Sequence, residues 1–304
     1  MNKFELHILG CGSALPTMQH APTSQVLNVR EKLFMIDCGE GTQLQFRRAR
    51  LRFNRLNQIF ISHLHGDHCF GLIGLISTLG LLGRTGDLVI HAVADLEKML
   101  RPQLEYFCRD LSFEVIIKPF DHTKNEVIYE DRSVKVSTIP LDHRVACAGF
   151  LFEEAENDLH LDGEAIKFYN IPIRDLASIK KGEDYTSEDG LIIPNNRLTK
   201  PADASRKYAF CSDTAYKEDI IPIIQGVDLL YHEATFLEED KARARETRHT
   251  TAGQAAQIAL KANVKKLMLG HYSSRYSDDS LFLDEAVKIF PHTILANELL
   301  LEKL

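Results

Sequence analysis

Residues 62–68 read Ser62-His63-Leu64-His65-Gly66-Asp67-His68, "SHLHGDH". Three histidines and one aspartate fall within the six residues from His63 to His68. Imidazole nitrogen and carboxylate oxygen are the ligands that zinc and its neighbours prefer. The stretch before the cluster, "QIFIS", reads as a strand, and the stretch after it, "DHCFGLIGLISTLGLLG", reads as a helix. The cluster therefore occupies a loop at the carboxyl end of a strand, the usual position of a site in α/β folds. Alternation points His63 and His65 the same way, while Asp67 and His68 enter the next turn. Two sets of ligands on one short loop can serve two metal ions.

A single loop cannot complete two coordination shells, so further ligands must come from other strand ends. Three apolar runs end in a ligand-type residue. "STIPLDH" ends at His143, "YAFCSD" at Asp213 and "LMLGH" at His271. A polar residue that terminates an apolar run suits a site at a sheet edge. The other histidines, His7, His91, His122, His160 and His292, have no companion motif.

Outward from the cluster, short alternating runs predict strands at 4–10, 25–30, 32–38, 58–64, 88–93, 113–120 and 134–143. In the second half they recur at 147–154, 207–213, 228–234 and 266–272, with helices at 251–262 and 280–290. Two mixed halves of similar length predict an α/β chain of two packed sheets with helices outside, as one domain over 1–304. Residues 155–206 interrupt this rhythm with polar, Gly-, Pro- and Lys-bearing sequence. They read as an insertion standing off the core.

Bulk composition narrows the class. The net charge of −7 argues against global attraction to nucleic acid. A local basic run, "QFRRARLRFNR" with Arg47, Arg48, Arg50, Arg52 and Arg55, reads as a solvated helix face. The six cysteines form no CxxC pair and read as reduced, buried thiols. The opening residues resemble a strand rather than a signal peptide, and no long apolar stretch predicts a membrane span. A cytoplasmic location is expected.

The cluster with the downstream His, Asp and His resembles the metallo-β-lactamase superfamily. Within it, "LGCGSALPT", "DCGEGTQLQ" (37–45), "HEATF" (232–236), "RHTTAGQAAQIA" (248–259) and "GHYSSRY" (270–276) resemble ribonuclease Z, the tRNA 3′-processing endonucleases. The resemblance implies an αβ/βα four-layer sandwich with a protruding flexible arm. It implies one zinc held by His63, His65 and His143, a second held by Asp67, His68 and His271, and Asp213 as the bridge. Such an enzyme removes the 3′ trailer from precursor tRNA by metal-activated water attack on a phosphodiester. The products are a tRNA 3′-hydroxyl and a trailer 5′-phosphate. The family assigns proton handling to an aspartate of the cluster, Asp67 here, and leaving-group assistance to a histidine matching His249. Glu233 is a candidate for orienting His249, and Ser273, Ser274 and Arg275 for holding phosphate.

The insertion stands where the family carries its tRNA-binding arm, which in a homodimer serves the partner's active site. Arg174, Lys180 and Lys181 keep its basic character, but the family's Gly-Pro pair is missing. A second departure is "PTMQHAPTSQ", with Met18 and His20 where the family often has Lys and Arg. The alternative reading is a small-molecule phosphodiesterase or other hydrolase on the same dinuclear scaffold.

Overall fold

The computed structural model describes residues 3–304. They form two compact units, one of residues 154–205 and one of the remainder. The larger unit is built on two seven-stranded sheets. The first sheet holds β1 (Phe4–Gly10), β2 (Ser24–Val29), β3 (Lys32–Ile36), β4 (Leu56–Phe60), β5 (Leu88–Ala92) and β6 (Val115–Pro119). The second begins with β7 (Val127–Glu130), β8 (Val134–Pro140) and β9 (Ala148–Glu154). It continues with β10 (Lys207–Cys211), β11 (Leu229–Glu233), β12 (Leu267–Gly270) and β13 (Thr293–Leu295). The final strand, β14 (Leu301–Lys303), returns to the first sheet beside β1.

The two sheets share a plan. In the first, β3, β4, β5 and β6 run parallel, and β2 joins them antiparallel. In the second, β10, β11, β12 and β13 run parallel, and β9 joins them antiparallel. Period-two alternation explains how one strand serves two layers. Phe34 and Ile36 of β3 enter the core between the sheets, with Phe60, Phe150, Phe152, Tyr208 and Phe210. Leu33 and Met35 of the same strand face the opposite way. They pack with Leu72, Leu75, Ile76 and Leu79 from a helix over Gly71–Leu81, and with Leu96, Leu100 and Leu104 from one over Asp95–Phe107. On the second sheet a helix over Ala252–Lys261 buries Ala255, Ala256 and Ala259. Helix, sheet, sheet and helix are therefore the layers, as the sequence predicts.

Several boundaries differ from the sequence reading. The strand expected over 58–64 ends at Phe60, because residues 61–65 leave the ladder to carry the histidine cluster. The strand expected over 134–143 ends at Pro140 for the same reason, ahead of His143. The helix expected over 280–290 stops at Ala286. Strands β7, β13 and β14 have only three or four residues, too few to show alternation. The smaller unit has its own apolar cluster of Ile171, Ile179, Tyr185, Ile193 and Leu198. It is made of short helices and two-residue strand pairs.

The loop after β3 and the helix after the cluster are pressed together. Gly71 N–H donates to the Cys38 carbonyl at 2.9 Å, and Cys38 N–H to the His68 carbonyl at 2.8 Å. A Cβ on Gly71 would lie 2.0 Å from the Gly39 carbonyl oxygen, a backbone atom that cannot swing aside. Gly71→Ala is accordingly expected to lower stability by about 1–3 kcal/mol, the usual cost of overpacking. Equilibrium urea unfolding measures this, and a change within about 0.5 kcal/mol, as for a neutral surface substitution, would refute the tight approach.

Candidate metal centre

Seven predicted ligands meet beyond the carboxyl ends of four strands. His63, His65, Asp67 and His68 follow β4, Asp213 follows β10, and His271 follows β12. His143 follows β8. They form two groups. In the first, His63 Nε2 lies 3.0 Å from His65 Nδ1, and His143 Nε2 lies 3.4 Å from the same atom. In the second, His68 Nε2 is 3.3 Å from His271 Nε2, and Asp67 Oδ2 is 3.4 and 3.5 Å from the two. Asp213 offers Oδ2 to the first group, 3.5 Å from His63 and 3.7 Å from His143. It offers Oδ1 to the second, 3.4 Å from His68 and 3.1 Å from His271.

These spacings test the fit to a metal. Four nitrogen and oxygen donors about 2.0–2.1 Å from one ion at tetrahedral angles are about 3.3 Å apart. The donor set is His and carboxylate in both groups. Burial opposes charge on His63, His65 and His143 and lowers their pKa, which leaves neutral imidazoles able to ligate. Burial opposes charge on His68 too, yet Asp213, Asp67 and Asp37 push it well above an ordinary histidine. That surplus of buried negative charge suits a cation.

Four of the five imidazoles are fixed through the ring nitrogen that faces away from the centre. His68 Nδ1 donates to Asp37 at 2.7 Å, and His143 Nδ1 to the Arg248 carbonyl at 3.0 Å. His271 Nδ1 donates to Thr235 Oγ1 at 2.9 Å, and His63 Nδ1 to Ser62 Oγ at 3.0 Å. Ser62 passes its hydroxyl proton and its N–H to Asp37, at 2.8 and 2.7 Å. Such outer carboxylates and hydroxyls set the tautomer of a ligating histidine. Ala14 N–H donates to Asp67 Oδ2 at 2.8 Å. Burial would raise the Asp67 carboxyl, but His68 and His271 hold it well below the carboxylate range.

His249 and Glu233 form a pair beside this centre. Glu233 is fully buried. It accepts from the N–H groups of Thr214 and Thr235, from the Thr235 hydroxyl, and from His249 Nδ1 at 2.8 Å. It therefore caps two backbone N–H groups and also holds His249. Burial works against charge on His249, but Glu233 outweighs it and raises the pKa to about 9. His249 also stacks on His271, with ring centroids 5.5 Å apart.

His249 lines a cleft of about 680 Å³ together with Lys241, Arg245, Arg248 and Tyr216. Lys241 and Arg245 stand one turn apart on a helix over Lys241–Thr247. The sequence reading passed over this pair, although the spacing in "KARARETRH" marks one basic helical face. It also passed over Asp37, Ser62 and Thr235, which look like ordinary turn and cap residues until the fold brings them behind the ligands. The basic run 47–55 lies elsewhere. Arg50, Arg52 and Arg55 line a separate cleft with Lys3 and Leu33, at the end of the sheet remote from the cluster. Ser273, Ser274 and Arg275 form a turn directly after His271, with Arg275 exposed. Arg174, Lys180 and Lys181 are exposed in the smaller unit. Lys180 and Lys181 border a cleft there with Glu156, Asp158 and Asp203.

Residues 4–163 match the family model described as Anti-Pycsar protein Apyc1. The chain is 59% identical to Ribonuclease Z of Bacteroides thetaiotaomicron over 298 residues, 98% of this chain and 94% of that one. Among solved structures it is similar to human tRNase Z, short form, with TM-score 0.71 and 23% identity over 98% of both chains. It is also similar to the metallo-beta-lactamase fold protein YhfI of Bacillus subtilis, with TM-score 0.70 and 16% identity over 99% of this chain and 100% of that one. The fold is thus the metallo-β-lactamase fold.

The His249–Glu233 pair makes a pH-dependent contribution. A histidine pKa raised in the folded state stabilises the protein below the unfolded value near 6.5, and that stability is lost as pH rises through about 9. In metal-stripped protein, NMR titration is expected to place His249 well above an ordinary histidine. Glu233→Gln should bring it down and remove up to about 3 kcal/mol of the pH-dependent stability. An unchanged His249 titration in that variant would show that Glu233 does not set its charge.

Proposed function

This chain belongs to the ribonuclease Z family, and by residues 4–163 to the family described as Anti-Pycsar protein Apyc1, and we propose that it cuts precursor tRNA at the 3′ trailer. The observation that carries this reading is Asp213, with one carboxylate oxygen toward each histidine group and the His249–Glu233 pair alongside. His63, His65 and His143 would hold one Zn²⁺, Asp67, His68 and His271 a second, and Asp213 would offer one carboxylate oxygen to each group. When bound, the two ions supply Lewis acidity that lowers the pKa of water and neutralises charge on phosphate.

The chain's own groups do the rest. Asp37, Ser62, Thr235 and the Arg248 carbonyl hold four of the imidazoles in ligating orientation. His249, kept as imidazolium by Glu233, gives its proton to the leaving 3′ oxygen. A water oxygen bonds to phosphorus as one of its protons passes to Asp67, the bond from phosphorus to that 3′ oxygen breaks, and phosphate stays on the trailer. Asp67 would act both as a ligand and as the base that receives that proton. Lys241 and Arg245 in the adjacent cleft, with Ser273, Ser274 and Arg275, face the RNA phosphates.

Residues 155–206 serve as the tRNA-binding arm, acting in trans in a cytoplasmic homodimer. This segment holds ten acidic and seven basic side chains. Its grip must therefore come from local groups such as Arg174, Lys180 and Lys181 and not from overall charge.

A precursor tRNA with a 3′ trailer is expected to be cut once near the discriminator base. Asp67→Ala should abolish the cut, and His249→Ala should slow it by about 10²–10⁴-fold. An intact precursor with hydrolysis of a small phosphodiester would instead favour a small-molecule hydrolase. Replacing Lys241 and Arg245 by Ala should weaken tRNA binding and flatten its salt dependence, by about 0.7–0.9 in log–log slope for each lost phosphate contact. An unchanged slope would remove that cleft from the RNA path.

A further inference from the structure

A second group of metal-type ligands lies away from the dinuclear centre, where the first loop meets the chain's last residues. Cys11 Sγ is 3.4 Å from His20 Nδ1 and 3.6 Å from Glu298 Oε1. His20 Nδ1 is 3.1 Å from Glu298 Oε2. These three side chains can each turn one ligand atom to a common point. Sulfur, nitrogen and oxygen donors at zinc distances and tetrahedral angles are about 3.3–3.6 Å apart, close to what is seen. Cys11 is fully buried and His20 nearly so. His20 Nε2 donates to Asp279 Oδ2 at 2.8 Å, the outer carboxylate that characteristically orients a metal-bound histidine.

We propose that Cys11, His20 and Glu298 hold a third, structural zinc-type ion, with Asp279 fixing the His20 ring. A thiolate in the donor set selects a soft or borderline metal over magnesium or calcium. Uptake replaces the Cys11 thiol proton and the proton on His20 Nδ1, so the net charge of the cluster is unchanged. Both protons leave with solvent. The partly exposed carboxylate of Glu298 gives the ion its way in.

The ion would act as a brace. The Cys11 carbonyl accepts from the N–H groups of both His271 and Tyr272, at 2.8 and 3.1 Å. Three residues on, Ala14 N–H holds Asp67. An ion at Cys11 and His20 therefore pins both ends of the loop that touches two ligands of the dinuclear centre.

None of the seven dinuclear ligands is a cysteine, so a thiolate reports this site alone. Full-length protein loaded with Co²⁺ should show a near-ultraviolet thiolate-to-cobalt absorption band. Cys11→Ser and His20→Gln should each abolish it, and Asp213→Ala should leave it in place. Zinc content by mass spectrometry should fall by one equivalent in Cys11→Ser. A band lost only in Asp213→Ala, a band that survives Cys11→Ser, or no band in the parent protein would each overturn the proposal. If Cys11→Ser fails to fold, the parent spectrum and His20→Gln still decide. In those negative cases the cluster is an ion-paired histidine clamp, whatever the dinuclear centre binds.

Discussion

Asp213 divides its two carboxylate oxygens between two sets of imidazoles, and the arrangement of the molecule follows from that division. A buried carboxylate faced on both sides by histidine is stable only if the surrounding charge is balanced and every ring is held from behind. Asp37 meets part of this need. It accepts from Ser62 twice and from His68, and Ser62 in turn holds His63. Both sheets supply members of the set. Each candidate ligand follows the carboxyl end of its strand. The close approach at Gly71 keeps the Asp37 loop and the His68 helix in register.

The layers were legible because they depend on alternation, and alternation is written locally. Phe34 and Ile36 against Leu33 and Met35 announce a strand with two buried faces. The ligands were legible because four of them crowd into one loop and three others end apolar runs. What stayed hidden was the layer behind them. Nothing near Thr235 or Asp37 in the chain indicates a histidine partner, since His271 and His68 reach them only through tertiary placement. The same holds for Cys11 and Glu298, nearly the whole chain length apart. Strand ends were misjudged wherever a ligand lay beyond them. An apolar run that ends in a histidine looks like continuing strand, but the side chain needs a free loop to reach the metal.

The distribution of charge also separates two kinds of recognition. The chain as a whole is acidic, and so is residues 154–205 taken alone. Yet the cleft beside His249 carries Lys241, Arg245 and Arg248 on one side. Arg248 is already engaged, by Asp142 and by the His143 carbonyl. An acidic body favours a polyanion only where basic residues are gathered locally, as they are in this cleft.

Two residues of the centre, Asp37 and His271, sit in the left-handed backbone region, with φ of 56° and 64°. Few side chains tolerate that conformation at low cost. A replacement at either position must satisfy both the backbone and the hydrogen-bonding partner. Asparagine comes nearest to meeting both demands, but as a neutral amide it loses the charge or the imidazole. Substitution is therefore costly at these two positions. The centre is far freer to change at His65, which sits in ordinary extended backbone.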